Sequence, residues 1–131
     1  MKLEIGMYVR TKREGIGKII SLSIGEEDEC CFIELSKRRT GIKEHNIVKA
    51  SHNIIDLLQV GDIITFKEDE DVYKILQIPS KEWDFEDFYL VKNYDGETED
   101  IFVQYEEMEK YIRSIVTKEQ FESMSYKVED K

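Results

Sequence analysis

Catalytic and metal chemistry in this chain of 131 residues could come from two cysteines and two histidines. Cys30 and Cys31 are adjacent, so a bridge between them would be strained, and we expect two free thiols, one in the core and one at the surface. A reactive thiol pair is the alternative. His45 and His52 complete no nucleophile–base pattern and no four-ligand zinc pattern with them. The sequence therefore predicts no catalytic residue, no metal site and no cofactor, and we expect a protein that is not an enzyme.

Residues 81–89 offer binding chemistry instead, because aromatic side chains alternate there with acidic ones around the only tryptophan of the chain. Aromatic anchors ringed by charge are common in surfaces that recognise proteins. Residues 68–71 form a second acidic group. The competing interpretations are that Trp83, Phe85 and Phe88 cover the open end of a small barrel formed by the second half of the chain, and that the acidic group is a hydrated turn. The predicted partner-binding residues are Trp83, Asp84, Phe85, Glu86, Asp87, Phe88, Glu68, Asp69, Glu70 and Asp71.

A basic cluster supplies the alternative binding site. It contains Lys37, Arg38 and Arg39, with Lys43 close by in the sequence. Small β-barrels can bind RNA or DNA through basic loops, helped by an aromatic stacking face such as Tyr8 or Phe32. The competing interpretation is a solvated loop, or a loop that contacts the acidic part of the same chain.

Charge is shared unequally between the two halves of the chain. Residues 1–58 carry 10 Lys and Arg against 9 Asp and Glu, whereas residues 59–131 carry 9 against 20, which gives net charges of +1 and −11. Because polyanion binding depends on basic contacts, this balance disfavours nucleic acid and permits contact with a basic protein surface. No apolar run approaches the roughly 20 residues of a membrane span, and no secretory signal is visible. We therefore expect no membrane partner and a cytoplasmic location, and the oligomeric state stays open.

The elements that must position these residues follow an internal repeat. Residues 5–12 align without a gap with residues 60–67, and residues 16–22 align with residues 72–78 after one extra residue in the second copy. A third match pairs residues 46–48 with residues 114–116. Such a repeat predicts two similar modules, which we place at residues 1–58 and 59–131.

Both modules are expected to be rich in short strands. Runs of β-branched and aromatic residues predict strands at 7–11, 16–24, 29–35 and 42–49, then at 62–67, 72–78, 88–92, 100–105 and 111–116. Turns are expected at residues 25–28 and at Asp95-Gly96, and an extended segment at 125–127. Helical turns are expected at 51–58, 106–110 and 118–124, the last behind a capping box of Thr117 and Gln120. The prediction is a mainly β protein made of two tandem small SH3-like or Tudor-like barrels, with a single meandering sheet as the fallback.

Three segments, at residues 5–12, 51–62 and 112–122, resemble small uncharacterised proteins encoded by phages and prophages of low-GC Gram-positive bacteria. The resemblance implies an accessory protein that meets a host factor, and it brings no catalytic motif. With the acidic second half, it leads us to expect a non-enzymatic protein that binds a host protein, with inhibition of a nucleic-acid-handling or defence complex as the concrete form. Nucleic-acid binding through the basic cluster is the alternative.

Overall fold

The computed structural model describes residues 2–22, 29–94 and 97–124 of the chain. Within these ranges the fold is mainly β, with two five-stranded antiparallel sheets and little helix. The predicted fold class is confirmed at this level. The turns predicted at residues 25–28 and at Asp95-Gly96, and the extended segment predicted at 125–127, lie outside the described residues.

The first sheet has the strand order β4-β3-β2-β1-β5. Its strands are β1 (Tyr8–Thr11), β2 (Ile16–Leu22), β3 (Glu29–Glu34), β4 (Arg39–Lys43) and β5 (Ile47–Ser51). A short 3-10 helix at Glu44–Asn46 separates β4 from β5. The prediction of one strand over residues 42–49 is therefore wrong. Residues 43–46 are all polar and offer no apolar side chain to a sheet face, so the chain turns there.

The second sheet has the equivalent order β10-β6-β7-β8-β9. Its strands are β6 (Ile63–Phe66), β7 (Val72–Gln77), β8 (Asp87–Tyr94), β9 (Glu97–Gln104) and β10 (Ile112–Val116). Helix α1 (Tyr105–Tyr111) connects β9 to β10, and helix α2 (Lys118–Met124) follows β10. The Thr117 hydroxyl accepts a hydrogen bond from the Gln120 amide at 3.1 Å. The predicted helix start at Thr117 is confirmed.

The internal repeat is visible in the backbone geometry. Gly6 and Gly61 both have positive φ angles, of 95° and 98°, which glycine adopts without a steric cost. Their amides donate to the carbonyl oxygens of Ile19 and Ile75 at 2.9 and 2.8 Å, respectively. Strand register agrees as well, since the β1–β2 and β6–β7 pairings join equivalent residues of the two copies. The first two sequence matches therefore correspond to one structural unit used twice.

The third sequence match has to be corrected. Strand pairing places Thr11 opposite Ile47 and Phe66 opposite Ile112, so Ile47 is equivalent to Ile112 and not to Ile115. The helix before β10 has seven residues, whereas the 3-10 helix before β5 has three. Because the two helices differ in length, the last strands of the two copies begin at different distances from the preceding strand. The match of residues 46–48 with residues 114–116 rests on one short apolar pair and could not reveal this difference.

Each sheet packs around its own hydrophobic cluster. The first cluster is centred on Val9, Ile19 and Ile33, and the second on a larger set that includes Ile64, Ile75, Phe88, Leu90 and Met108. Residues 51–58 contain a 3-10 helix at Ile54–Leu57, as the helical spacing predicted, and Ile55 and Leu58 pack into the second cluster. The module boundary between residues 58 and 59 stays a prediction.

A buried ionic network joins the two halves of the chain. The Arg10 guanidinium, on β1, is fully buried and donates to both carboxylate oxygens of Asp62 at 2.5 and 2.7 Å. It also donates to Glu119 on α2 at 2.6 Å and to the Leu57 carbonyl oxygen at 2.9 Å. Burial lowers the Arg10 pKa, but the hydrogen bonds to Asp62 and Glu119 outweigh it, so the pKa is raised overall. The guanidinium therefore stays charged inside the protein.

Neither sheet closes into a barrel through strand pairing among the described residues. The barrel form of each module therefore remains a prediction. None of the helices in the described ranges is long and apolar enough to cross a membrane.

Candidate protein-binding surface

The acidic turn, residues 68–71, connects β6 to β7. Asp69 accepts hydrogen bonds from the Tyr73 hydroxyl and the Asp71 amide, both at 2.7 Å, and these bonds lower its pKa. Asp71 accepts a hydrogen bond from the Lys92 ammonium at 2.6 Å. Glu68 and Glu70 are exposed and make no ion pair or hydrogen bond with the residues described by the structure. Two of the four predicted carboxylates thus shape the turn, and two remain available to a partner.

The aromatic loop, residues 80–86, connects β7 to β8. It is closed by two backbone hydrogen bonds between Ser80 and Phe85, at 3.0 and 2.9 Å. Asp84 sits at the tip with a φ of 58°, a left-handed conformation that aspartate tolerates better than most residues. Trp83 and Phe85 are 68% and 44% exposed. The loop geometry therefore holds two aromatic side chains out toward solvent.

The prediction that Phe88 binds a partner is wrong. It is only 2% exposed and belongs to the hydrophobic cluster of the second sheet, together with Leu90 two residues later. Phe88 is therefore a core residue, whereas Trp83 and Phe85 are surface residues. Asp87, the first residue of β8, is half-buried, and the Gln77 side-chain amide donates to its carbonyl oxygen at 3.4 Å.

The acidic turn and the aromatic loop do not form one compact site. The acidic turn precedes β7 and the aromatic loop follows it, so the six residues of this strand separate them. At about 3.3 Å per residue, their separation is about 20 Å. A partner that contacts both segments has to extend along the second sheet.

The sequence analysis did not identify a stacked aromatic pair on β8 and β9. The rings of Tyr89 and Phe102 stack with centroids 4.8 Å apart, and Phe102 is 66% exposed. The Tyr89 hydroxyl donates to Asp100 at 2.7 Å, and this hydrogen bond raises the Tyr89 pKa. The alternation of β9 could have predicted that Phe102 is exposed, because it places Phe102 on the same face as the polar residues Asp100 and Gln104.

The basic cluster is exposed but partly neutralised by its own module. Arg38 forms an ion pair with Glu14, and Arg39 lies 3.3 Å from the carboxylate of Glu34. Lys37 and Lys43 are exposed, and no ion pair with another described residue involves either of them. Lys37 and Arg38 line a groove of about 770 Å³ between the two halves, together with Arg13, Glu14, Glu109 and Arg113.

The cysteines and histidines come together in no catalytic arrangement among the described residues. Cys31 is fully buried, and burial, followed by the neighbouring Cys30, raises its pKa to about 12. Cys30 is half-buried, and its thiol lies 3.5 Å from the Ile42 carbonyl oxygen. Exposed His52 contacts the Glu4 carboxylate at 2.9 Å. No group of three or more His, Cys, Asp or Glu side chains suited to a metal ion occurs in the described ranges.

Comparison of the chain with protein-family models, with curated proteins and with solved structures gives no match. The resemblance to phage-encoded proteins therefore stays a prediction.

Proposed function

We propose that the chain is a non-enzymatic accessory protein that binds a basic protein surface through its acidic second half. The observation that carries the proposal is the aromatic loop. Its exposed Trp83 lies between Glu82, Asp84 and Glu86, and no described residue forms an ion pair with any of these three carboxylates. A tryptophan anchor ringed by unpaired charge suits a protein interface, because burial of the ring supplies affinity and the charges select the partner.

Long-range charge supports the same conclusion. The net charge of −11 on residues 59–131 attracts a basic surface before contact and accelerates association at low ionic strength. A host surface that normally holds nucleic acid has the complementary charge. In its concrete form, the proposal is therefore a phage-type protein that acts in the host cytoplasm and occupies the nucleic-acid channel of a host complex.

We propose an SH3-like fold for each module as part of this function. The two sheets share one strand order, and both place a short helix directly before the last strand. In such small β-modules the connecting loops project from one rigid sheet, which suits them to recognition. The acidic turn and the aromatic loop are both connections of this kind.

Nucleic-acid binding through Lys37, Arg38, Arg39 and Lys43 is the second candidate. Arg13 and Arg113 favour it, because they add two cations to the groove that Lys37 and Arg38 line. The ion pairs of Arg38 with Glu14 and of Arg39 with Glu34 oppose it, because they would have to break before either arginine could contact a phosphate.

The test is capture of partners by the tagged protein from a lysate of a low-GC Gram-positive bacterium, with and without nuclease. We expect a basic protein that survives nuclease treatment and is lost with the Trp83→Ala/Glu86→Lys variant. Phe121→Ala is the matched control, because Phe121 is 60% exposed on α2, outside the aromatic loop. Capture that persists in the loop variant contradicts the proposal. Capture that requires intact nucleic acid supports the second candidate.

A further inference from the structure

A cavity of about 320 Å³ lies on the open side of the second sheet. Three aromatic side chains line it: Phe66 at the end of β6, Tyr73 on β7 and Tyr111 at the end of α1. Ile101 and Val103, on edge strand β9, supply the apolar part of the lining. Since α1 spans the gap between β9 and β10, the cavity sits where strand pairing does not close the sheet.

Carboxylates surround the same cavity. Glu68 and Asp69, from the acidic turn, and Glu107, from α1, contribute to its lining. Asp69 is engaged by the Tyr73 hydroxyl at 2.7 Å. Glu68 and Glu107 are exposed and have no partner within the described part of the chain. The cavity thus combines aromatic faces, an apolar stem region and two free negative charges, and no basic residue lines it.

The aromatic walls already attract cations of the chain itself. The Lys92 ammonium lies 5.6 Å from the ring centroid of Tyr73, and the Lys110 ammonium lies 5.3 Å from that of Tyr111. Both distances are within the roughly 6 Å at which a cation is stabilised by an aromatic ring. The ring of Phe66 meets that of Tyr73 edge-on, with centroids 5.2 Å apart, which fixes the orientation of this wall.

We infer that this cavity binds the guanidinium group of one arginine side chain from the basic partner, which makes it a specificity site that rests on the proposed function. The arginine stem packs on Ile101 and Val103, and the planar guanidinium stacks on the ring of Tyr111. Glu68 and Glu107 accept its hydrogen bonds. Arginine fits better than lysine, because a guanidinium both stacks on aromatic faces and donates to two carboxylates at once.

Other occupants fit this chemistry less well. Phosphate groups of a nucleotide or nucleic acid would be repelled by Glu68 and Glu107, because no basic residue lines the cavity to receive them. An uncharged apolar side chain would pack against the aromatic walls, but it would not replace the hydrogen bonds to water that the two carboxylates lose. A cation on an apolar stem satisfies both parts of the cavity.

A direct test uses N-acetyl-arginine amide as the probe in an NMR titration of the full chain with labelled Ile and Val methyl groups. We expect saturable shifts at Ile101 and Val103. The matched probe is N-acetyl-citrulline amide, which has nearly the same shape without the charge, and it should cause no saturable shift. Equal shifts from citrulline, or from N-acetyl-lysine amide, overturn the assignment of the cavity to a guanidinium group.

Variants separate this inference from the proposed function. Tyr111→Leu keeps apolar bulk at a residue that is 41% exposed but removes the ring, and it should weaken probe binding about two- to fivefold. Glu68→Gln/Glu107→Gln should have an effect of similar size that shrinks at high salt. Phe102→Leu is the control, because it removes an exposed aromatic ring from the face of β9 opposite to Ile101 and Val103. Unchanged probe binding in Tyr111→Leu overturns the inference.

The captured partner then provides the second comparison. If Tyr111→Leu keeps the partner whereas Trp83→Ala/Glu86→Lys loses it, the arginine site is refuted and the proposed function stands. If both variants keep the partner, both proposals are refuted. If both variants weaken capture, the cavity and the aromatic loop contact the same partner, as we expect.

Discussion

Replacing Arg10 with methionine should destabilise the protein more than any surface substitution. Arg10 is fully buried and donates four hydrogen bonds, two to Asp62, one to Glu119 and one to the Leu57 carbonyl oxygen. Methionine fills most of the volume but leaves the Asp62 carboxylate buried without a counter-charge. Removing one partner of a buried ion pair typically costs about 3–5 kcal/mol. Because whole domains are stable by only about 5–15 kcal/mol, the loss should be easy to measure.

The assay is urea unfolding followed by circular dichroism, with the free energy of unfolding compared between variants. Arg10→Met/Asp62→Asn is the decisive second variant, because it removes the stranded charge. It also keeps an acceptor for one of the two backbone amides that donate to Asp62, those of Gln59 at Oδ2 (2.8 Å) and Lys118 at Oδ1 (3.0 Å). We expect it to be more stable than Arg10→Met by about 1–2 kcal/mol.

The result that would refute this reasoning is a small and additive effect. If Arg10→Met lowers the free energy of unfolding by less than about 1 kcal/mol, the network contributes no more than an exposed ion pair. If the double variant is no more stable than Arg10→Met, the buried Asp62 charge is not the cause of the loss. A second unfolding transition in Arg10→Met would show that the network also makes the two halves unfold together.

Three other predictions concern titration, reactivity and backbone geometry. Tyr73→Phe should raise the lowered pKa of Asp69 toward its ordinary value, as measured in an NMR titration of the carboxylates. Because this pKa is lowered in the folded state, the stability linked to it should be present at neutral pH and lost as the pH falls through that pKa. An unchanged pKa would contradict the role of the Tyr73 hydroxyl. At pH 8 a thiol-reactive disulfide reagent should modify Cys30 well before Cys31, whose pKa is raised to about 12, and equal rates would show that the core opens freely. Gly61→Ala should cost roughly 1–2 kcal/mol in urea unfolding because an alanine strains at this positive φ, and an unchanged midpoint would contradict that estimate.

Local patterns predicted the strands and the repeat because they depend on residues that are close in the sequence. Alternation identified most of the strands, and the equivalence of Gly6 and Gly61 followed from the aligned segments around them. The same alternation in β8 could have revealed that Phe88 points inward with Leu90, since Tyr89 and Val91 occupy the other face. The error at Phe88 therefore came from weighting composition above periodicity.

Long-range contacts could not be predicted in this way. Val9 points into the first core, so alternation places Arg10 on the outer face, where a charged residue would be expected in water. Arg10 is buried because it is covered by Asp62 and Glu119, which lie 52 and 109 positions further along the sequence. The aromatic cavity has the same origin, since Phe66, Tyr73 and Tyr111 come from two strands and a helix. Only the folded chain brings these groups together.

The ionic junction between the halves is a contact that the repeat itself does not reproduce. It uses different positions on its two sides, since the repeat equates Arg10 with Thr65 and Asp62 with Met7. Head-to-tail contacts of this kind can in general be extended without limit and produce filaments. Here the second module offers a threonine where a third would need an arginine, and the first offers a methionine where a preceding one would need an aspartate. The two copies thus differ at both positions of this junction, so a contact equivalent to Arg10–Asp62 cannot recur at Thr65 or at Met7.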